Sequence, residues 1–143
     1  MIISLVALLS ATLFTGAAFY ITLVEHPARL GLGDGPMLQQ WQPSYKRALP
    51  IQSGLAVIGG LAGLIAGYLT KDWLWVAGSV ALLANWPFTL LAIFPVNKRL
   101  MALNPRLAGF ESRAMLVQWG RLHGVRSFLG AAAMLFFALP FMR

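Results

Sequence analysis

PIQSGLAVIGGLAGLIAGYLT-KD-WLWVAGSVALLANWPFTLLAIF, residues 50–94, decides the fold. Two apolar runs flank a short link, Thr70-Lys71-Asp72, and Lys71 and Asp72 are the only charged residues in the stretch. Each run reaches the roughly 20 residues that a helix needs to cross a bilayer. So short a link forces the two helices into an antiparallel hairpin. Trp73 and Trp75 follow the link directly, where indole rings anchor at headgroup depth.

Two further runs, residues 2–24 and about 122–141, have the same length and character. With 59% hydrophobic and 10% charged residues among 143, no separate soluble domain fits. Hydrocarbon admits only helices or closed barrels, and these runs are too continuously apolar for barrel strands. The expectation is an all-α, integral membrane four-helix bundle, a single transmembrane domain over residues 1–143. Its helices fall at about 2–24, 50–69, 73–94 and 122–141, with loops at 25–49 and 95–121. The first run is read as a retained helix, because it lacks a basic leader and exceeds the roughly 7–15 apolar residues of a signal peptide.

The net charge of +7 is a topology signal, not a nucleic-acid footprint. Arg29, Lys46 and Arg47 lie between helices 1 and 2; Lys98, Arg99, Arg106, Arg113 and Arg121 lie between helices 3 and 4. Arg126 is just inside helix 4, and only Lys71 and Arg143 fall on the other side. The positive-inside rule then puts both loops in the cytoplasm and both termini on the non-cytoplasmic side. This is the pattern of a multi-pass protein of the bacterial inner membrane, with the lipid bilayer as its first partner and no nucleic acid. Cysteine is absent, which removes disulfides, thiolate nucleophiles and Cys metal sites.

Along the chain, Gly31-Leu32-Gly33-Asp34-Gly35-Pro36 reads as a turn, and residues 37–49 as an interfacial or partly helical segment. Gly59, Gly63 and Gly67 form a small-xxx-small ridge for close helix packing, within the monomer or in a homo-oligomer. Asn85-Trp86-Pro87 predicts a kink in helix 3, with the Asn85 amide seeking a partner across the bundle. Asn104-Pro105 breaks the chain again before a helix resumes at about residue 110.

Groups able to do chemistry gather at one membrane face. Trp119, His123 and Arg126 are spaced i, i+4 and i+7, hence on one side of a helix, and an ionisable group at that depth is a functional candidate. Glu25 and Arg29 are four apart across Pro27, which interrupts a regular helix there. Trp41, Tyr45 and Asn97 fall at the same face, and Asn85 and Trp86 deeper. Two His residues and a Glu are the minimum for a metal. His26 and His123 lie on different helices without a zincin spacing, so no metal ligand set is assigned. Phosphate loops, Ser-His-Asp patterns and dinucleotide fingerprints are missing.

These residues resemble the DUF1772 or anthrone oxygenase-like family of membrane proteins. The likeness rests on Glu25-x-Pro27-x-Arg29, Trp41-x-x-x-Tyr45, Pro95-Val96-Asn97-Lys98-Arg99-Leu100 and Trp119-x-x-x-His123-x-x-Arg126, in that order across nearly the whole chain. It implies a four-helix membrane bundle and an oxidoreductase. In fungal members it implies oxidation of polyketide anthrones to anthraquinones by dioxygen, without an obvious cofactor. Such chemistry needs a base, a clamp for an oxyanion and a dry aromatic pocket. His123 or Glu25 suits the base, Arg126 and Arg29 the clamp. Asn97 and Tyr45 suit the carbonyl, and Trp41, Trp119 and Trp86 the walls, around a flat, hydrophobic anthrone-like or quinol-like substrate. One alternative is a redox membrane protein with haem or a metal ion on His26 or His123. Another is a non-enzymatic lipid- or quinone-binding or accessory subunit.

Overall fold

A computed structural model describes residues Met1–Arg143. It is all-helical, with four helices long and apolar enough to cross a membrane: α1 (Ile2–Leu30), α2 (Asp34–Thr70), α3 (Trp73–Ala102) and α4 (Phe110–Met142). The chain is a membrane protein. α1 packs on α2 and α4, α2 on α3, and α3 on α4, which closes an up-and-down bundle. Arg143 at the C-terminus reaches Asp72 in the hairpin link at 3.4 Å, so both lie at the same end.

The helices outrun the apolar spans. Most of what reads as loop at 25–49 and 95–121 is helical, leaving short connections between α1 and α2 and between α3 and α4. Proline is the reason the sequence suggests otherwise, and local geometry is the reason it does not break the helices. Pro27 sits in the first turn after a π-helical turn, Ile21–Glu25. Pro95 follows another, Thr89–Ile93, in the same way. Each π turn resets the backbone ladder, so the proline occupies a first-turn position, where its missing N–H costs little. Pro43 and Pro50 lie inside α2 on its exposed side, where the carbonyls they leave unpaired face outward.

Side chains secure the helix ends that result. Arg113 donates to Leu30 O (2.9 Å), Leu32 O (2.5 Å) and Asp34 Oδ1 (2.5 Å), tying the end of α1 and the start of α2 to α4. Topology alone is therefore not the whole account of this arginine. Gln42 Nε2 donates to Leu100 O (3.0 Å) and Leu103 O (2.9 Å), filling carbonyls left open where α3 stops.

The core divides in two. Toward the hairpin link it is built from small residues, Ala7, Ala11, Ala56, Ala62, Ala66 and Ala133, around Phe14, Trp75, Leu82 and Phe137. The glycine ridge of α2 is consumed there. A Cβ on Gly59 would stand 2.7 Å from Leu82 Cδ2 and 2.9 Å from Ser10 Cβ, and one on Gly63 would strike Ser79 and Phe137. The ridge thus packs within the monomer. Toward the other end the core is bulkier, with Met37, Leu38, Trp41, Ile93, Leu100, Leu116 and Trp119. Here the buried polar side chains also gather.

Candidate functional site

Three α1 and α2 side chains close over Glu25. Its Oε1 accepts from Arg29 Nη2 (2.5 Å), Ser44 Oγ (2.5 Å) and Gln40 Nε2 (3.4 Å), while Arg29 Nε donates to Gln40 Oε1. The π turn before Pro27 keeps Glu25 and Arg29 on one face, so the pair forms despite the proline. His26 Nδ1 lies 3.1 Å from Arg29 Nη1. Its ring fills the space above Gly120, where a Cβ would come within 2.5 Å of His26 Cδ2. Glu25 and His26 are thus parts of a clasp between α1, α2 and α4, and neither lines the adjoining cavity.

That cavity is walled by α1, α2, α3 and α4 together. Arg29, Trp41, Tyr45, Asn97, Trp119, His123 and Arg126 all line it. Its aromatic wall is ordered. Trp41 stacks on Tyr45 (5.0 Å, 4°), Trp119 meets Trp41 edge-on (5.7 Å, 82°), and Trp119 stacks on His123 (4.9 Å, 28°). The enclosed volume is about 20 Å³, room for one water-sized molecule. Asn85 and Trp86 are not in this cavity; they line a neighbouring groove between α2 and α3. Asn85 also lacks the cross-bundle partner expected of it. Its Nδ2 donates to Leu82 O in its own helix (3.0 Å), at the break before Pro87, and its Oδ1 has no partner.

Arg126 is the distinctive charge. The chain owns four carboxylate side chains, and all are taken: Glu25 by Arg29, Asp34 by Arg113, Asp72 by Arg143 and Glu111 by Arg99. Arg126 is 8% exposed, has no anion and leaves Nε unpaired. The Phe14 ring lies 5.6 Å from the guanidinium carbon. Gly130, one turn on, makes room for that ring, since a Cβ there would lie 2.7 Å from Phe14 Cδ1. A buried cation without a counter-ion is costly, and a site that holds one is prepared for negative charge.

Four polar contributors escape the sequence reading. Thr22 Oγ1 sits 3.1 Å from His123 Nδ1 and 2.8 Å from Ser127 Oγ, which in turn reaches His123 O at 3.4 Å. Gln52 and Ser44 line the cavity from α2. Ser127 had a signal, since it lies one turn beyond His123 on the same face; Thr22 and Gln52 had only their polarity within apolar runs. No three His, Asp or Glu side chains converge as metal ligands.

Residues 41–136 match the model of the family described as anthrone oxygenase. This chain belongs to that family. A protein of Claviceps purpurea (strain 20.1) named anthrone oxygenase is 27% identical to it over 144 residues, covering 91% of this chain and 83% of the relative. The matched span holds most of the cavity wall, from Trp41 to Arg126. No solved structure matches. Membership supports an oxygenase-type function, that of an anthrone oxygenase-like oxidoreductase.

Proposed function

We propose that the chain is a cofactor-independent oxygenase for a flat, hydrophobic, anthrone-like or quinol-like substrate. It works at the cytoplasmic face of a bacterial inner membrane, the face that the loop charges mark. The observation that carries this reading is Arg126, the buried cation left over when every carboxylate side chain is paired. Deprotonating an anthrone CH₂ turns its carbonyl into an enolate oxygen, the anion that such a cation fits. The guanidinium favours the enolate over the ketone and so lowers the barrier to proton removal.

His123 is the base. If Nδ1–H donates to Thr22, Thr22 to Ser127 and Ser127 to the His123 carbonyl, every proton in the chain has an acceptor. Nε2 is then a bare acceptor and gains a proton without moving another hydrogen. Glu25, its Oε1 held by three donors and its side chain outside the cavity, does not serve as base. The enolate reduces dioxygen by one electron, the radical pair collapses to a carbon–oxygen bond, and imidazolium returns its proton to the peroxide. Loss of the second C–H proton with cleavage of O–O expels water. The sum is anthrone plus O₂ giving anthraquinone plus H₂O.

Oxygen uptake by purified protein with a hydroxylated anthrone tests this. One dioxygen per quinone formed, faster than protein-free autoxidation and lost in His123→Ala and Arg126→Ala with the fold retained, is the expected result. Uptake no faster than the protein-free control, or unchanged turnover in both variants, ends the reading.

A further inference from the structure

The cavity is too small for a three-ring substrate, and the space for one lies beside it. α2 and α3 pack tightly along the hairpin, where Gly60 leaves no gap to Leu83. At Ala84 the α3 ladder breaks, restarts through Asn85–Phe88 and passes into the π turn Thr89–Ile93. Beyond that break the two helices part, and a groove of about 360 Å³ opens between them. Its mouth carries Trp86, Leu90 and Phe94, which are 42%, 55% and 48% exposed and belong to the lipid-facing surface. Tyr45, Leu49 and Arg126 line both the groove and the small cavity, so the two spaces meet at the guanidinium.

The inner wall specifies more than an apolar occupant. Asn85, Thr89 and Arg126 all line the groove, and each has a buried side-chain atom without a partner, Oδ1, Oγ1 and Nε respectively. Polar groups at that depth need partners that neither hydrocarbon nor an acyl chain supplies. A fused-ring aromatic carrying peripheral hydroxyl and carbonyl groups matches the wall: its faces satisfy the apolar side, its edge the polar atoms.

Resting on the oxygenase reading above, we infer that the groove between α2 and α3 is the substrate-binding site and its port. A planar fused-ring phenolic ketone enters sideways from the bilayer until its central ring lies at Arg126, where the groove meets the cavity that His123 lines, within reach of both side chains. The rest of that cavity is left for departing water. Leu90 guards the mouth, and Asn85 and Thr89 read the edge of the ring system.

Binding without turnover tests the site independently of the chemistry. The full chain in phosphatidylcholine nanodiscs is titrated with a hydroxyanthraquinone, and quenching of tryptophan fluorescence is followed. Leu90→Trp narrows the mouth; Leu91→Trp, on a lipid-facing neighbour 81% exposed and outside the groove, is the matched control. Expected are saturable quenching that weakens about tenfold in Leu90→Trp but not in Leu91→Trp, and loss of most of the quenching in Trp86→Phe. Equal affinity in the two tryptophan variants overturns the site. So does quenching of Trp86 by brominated acyl chains that the quinone cannot relieve, which makes the groove a lipid slot. Selective binding without oxygen uptake would sink the oxygenase reading and leave the groove standing. Uptake indifferent to Leu90→Trp would do the reverse.

Discussion

The two ends of the bundle solve the same packing problem in opposite ways. Near the hairpin, alanines and glycines bring four backbones together, and two buried hydroxyls bond their own helices: Ser79 to Trp75 O at 2.8 Å, Thr15 to Ala11 O at 2.7 Å. No charged side chain is buried there. At the other end large rings hold the helices apart, and Trp41 Nε1, Trp119 Nε1, Asn97 Oδ1 and Arg126 Nε are buried with no partner. Unmet polar atoms in a membrane interior oppose folding, so one end is built for stability and the other carries a load that a bound polar partner would relieve.

The sharpest way to break this contrast is Arg126→Gln. Turnover is expected to fall 10²–10³-fold, about 3–4 kcal/mol of transition-state stabilisation, while the thermal melt in detergent holds or rises because an unpaired buried charge has gone. A melt that falls along with activity would make Arg126 a structural residue. Glu25→Gln should act oppositely and strand Arg29, whose side chain is 2% exposed. About 3 kcal/mol of stability is then lost, visible as an early melt, with per-molecule activity largely kept at low temperature. Next, Gly63→Leu drives a side chain into Ser79 and Phe137 and should cost roughly 1–3 kcal/mol in the same melt. If it instead changed the oligomeric state alone, the ridge would serve an interface after all. The mildest change is Thr22→Val, which removes the acceptor for His123 Nδ1–H. A drop in kcat of about tenfold with little change in KM is expected, and unchanged kcat would free His123 from the role of base.

Sequence patterns exposed whatever lies within one helix or follows from bilayer physics. Four spans were legible because hydrocarbon leaves few options, and Trp119, His123 and Arg126 because their spacing is helical. The Thr22–His123 contact joins residues 101 positions apart, and no local pattern encodes it. Glu25 looked like a base because composition shows a carboxylate without showing that Arg29, Ser44 and Gln40 already occupy it. Asn85 looked like a bundle cross-link because the break at Ala84, which gives its amide a carbonyl in its own helix, is a property of the folded backbone. Residues 37–49 read as only interfacial or partly helical, yet they are helical throughout, with Pro43 and Pro50 both on the exposed side of the helix.

The π turns of α1 and α3 make room for the prolines that follow them. Each amounts to one residue inserted into an α-helix, at the point where these helices leave the alanine-rich end and enter the aromatic one. Deleting a single residue from Ile21–Glu25 would restore ordinary winding and leave the helix beyond it nearly in phase, because the wide turn already absorbs that residue. Pro27 would then lose its first-turn position and meet the carbonyl four residues back, kinking the helix though no contact residue had been altered. Side-chain substitutions tune this site, whereas one lost codon at either turn bends the helix that carries it.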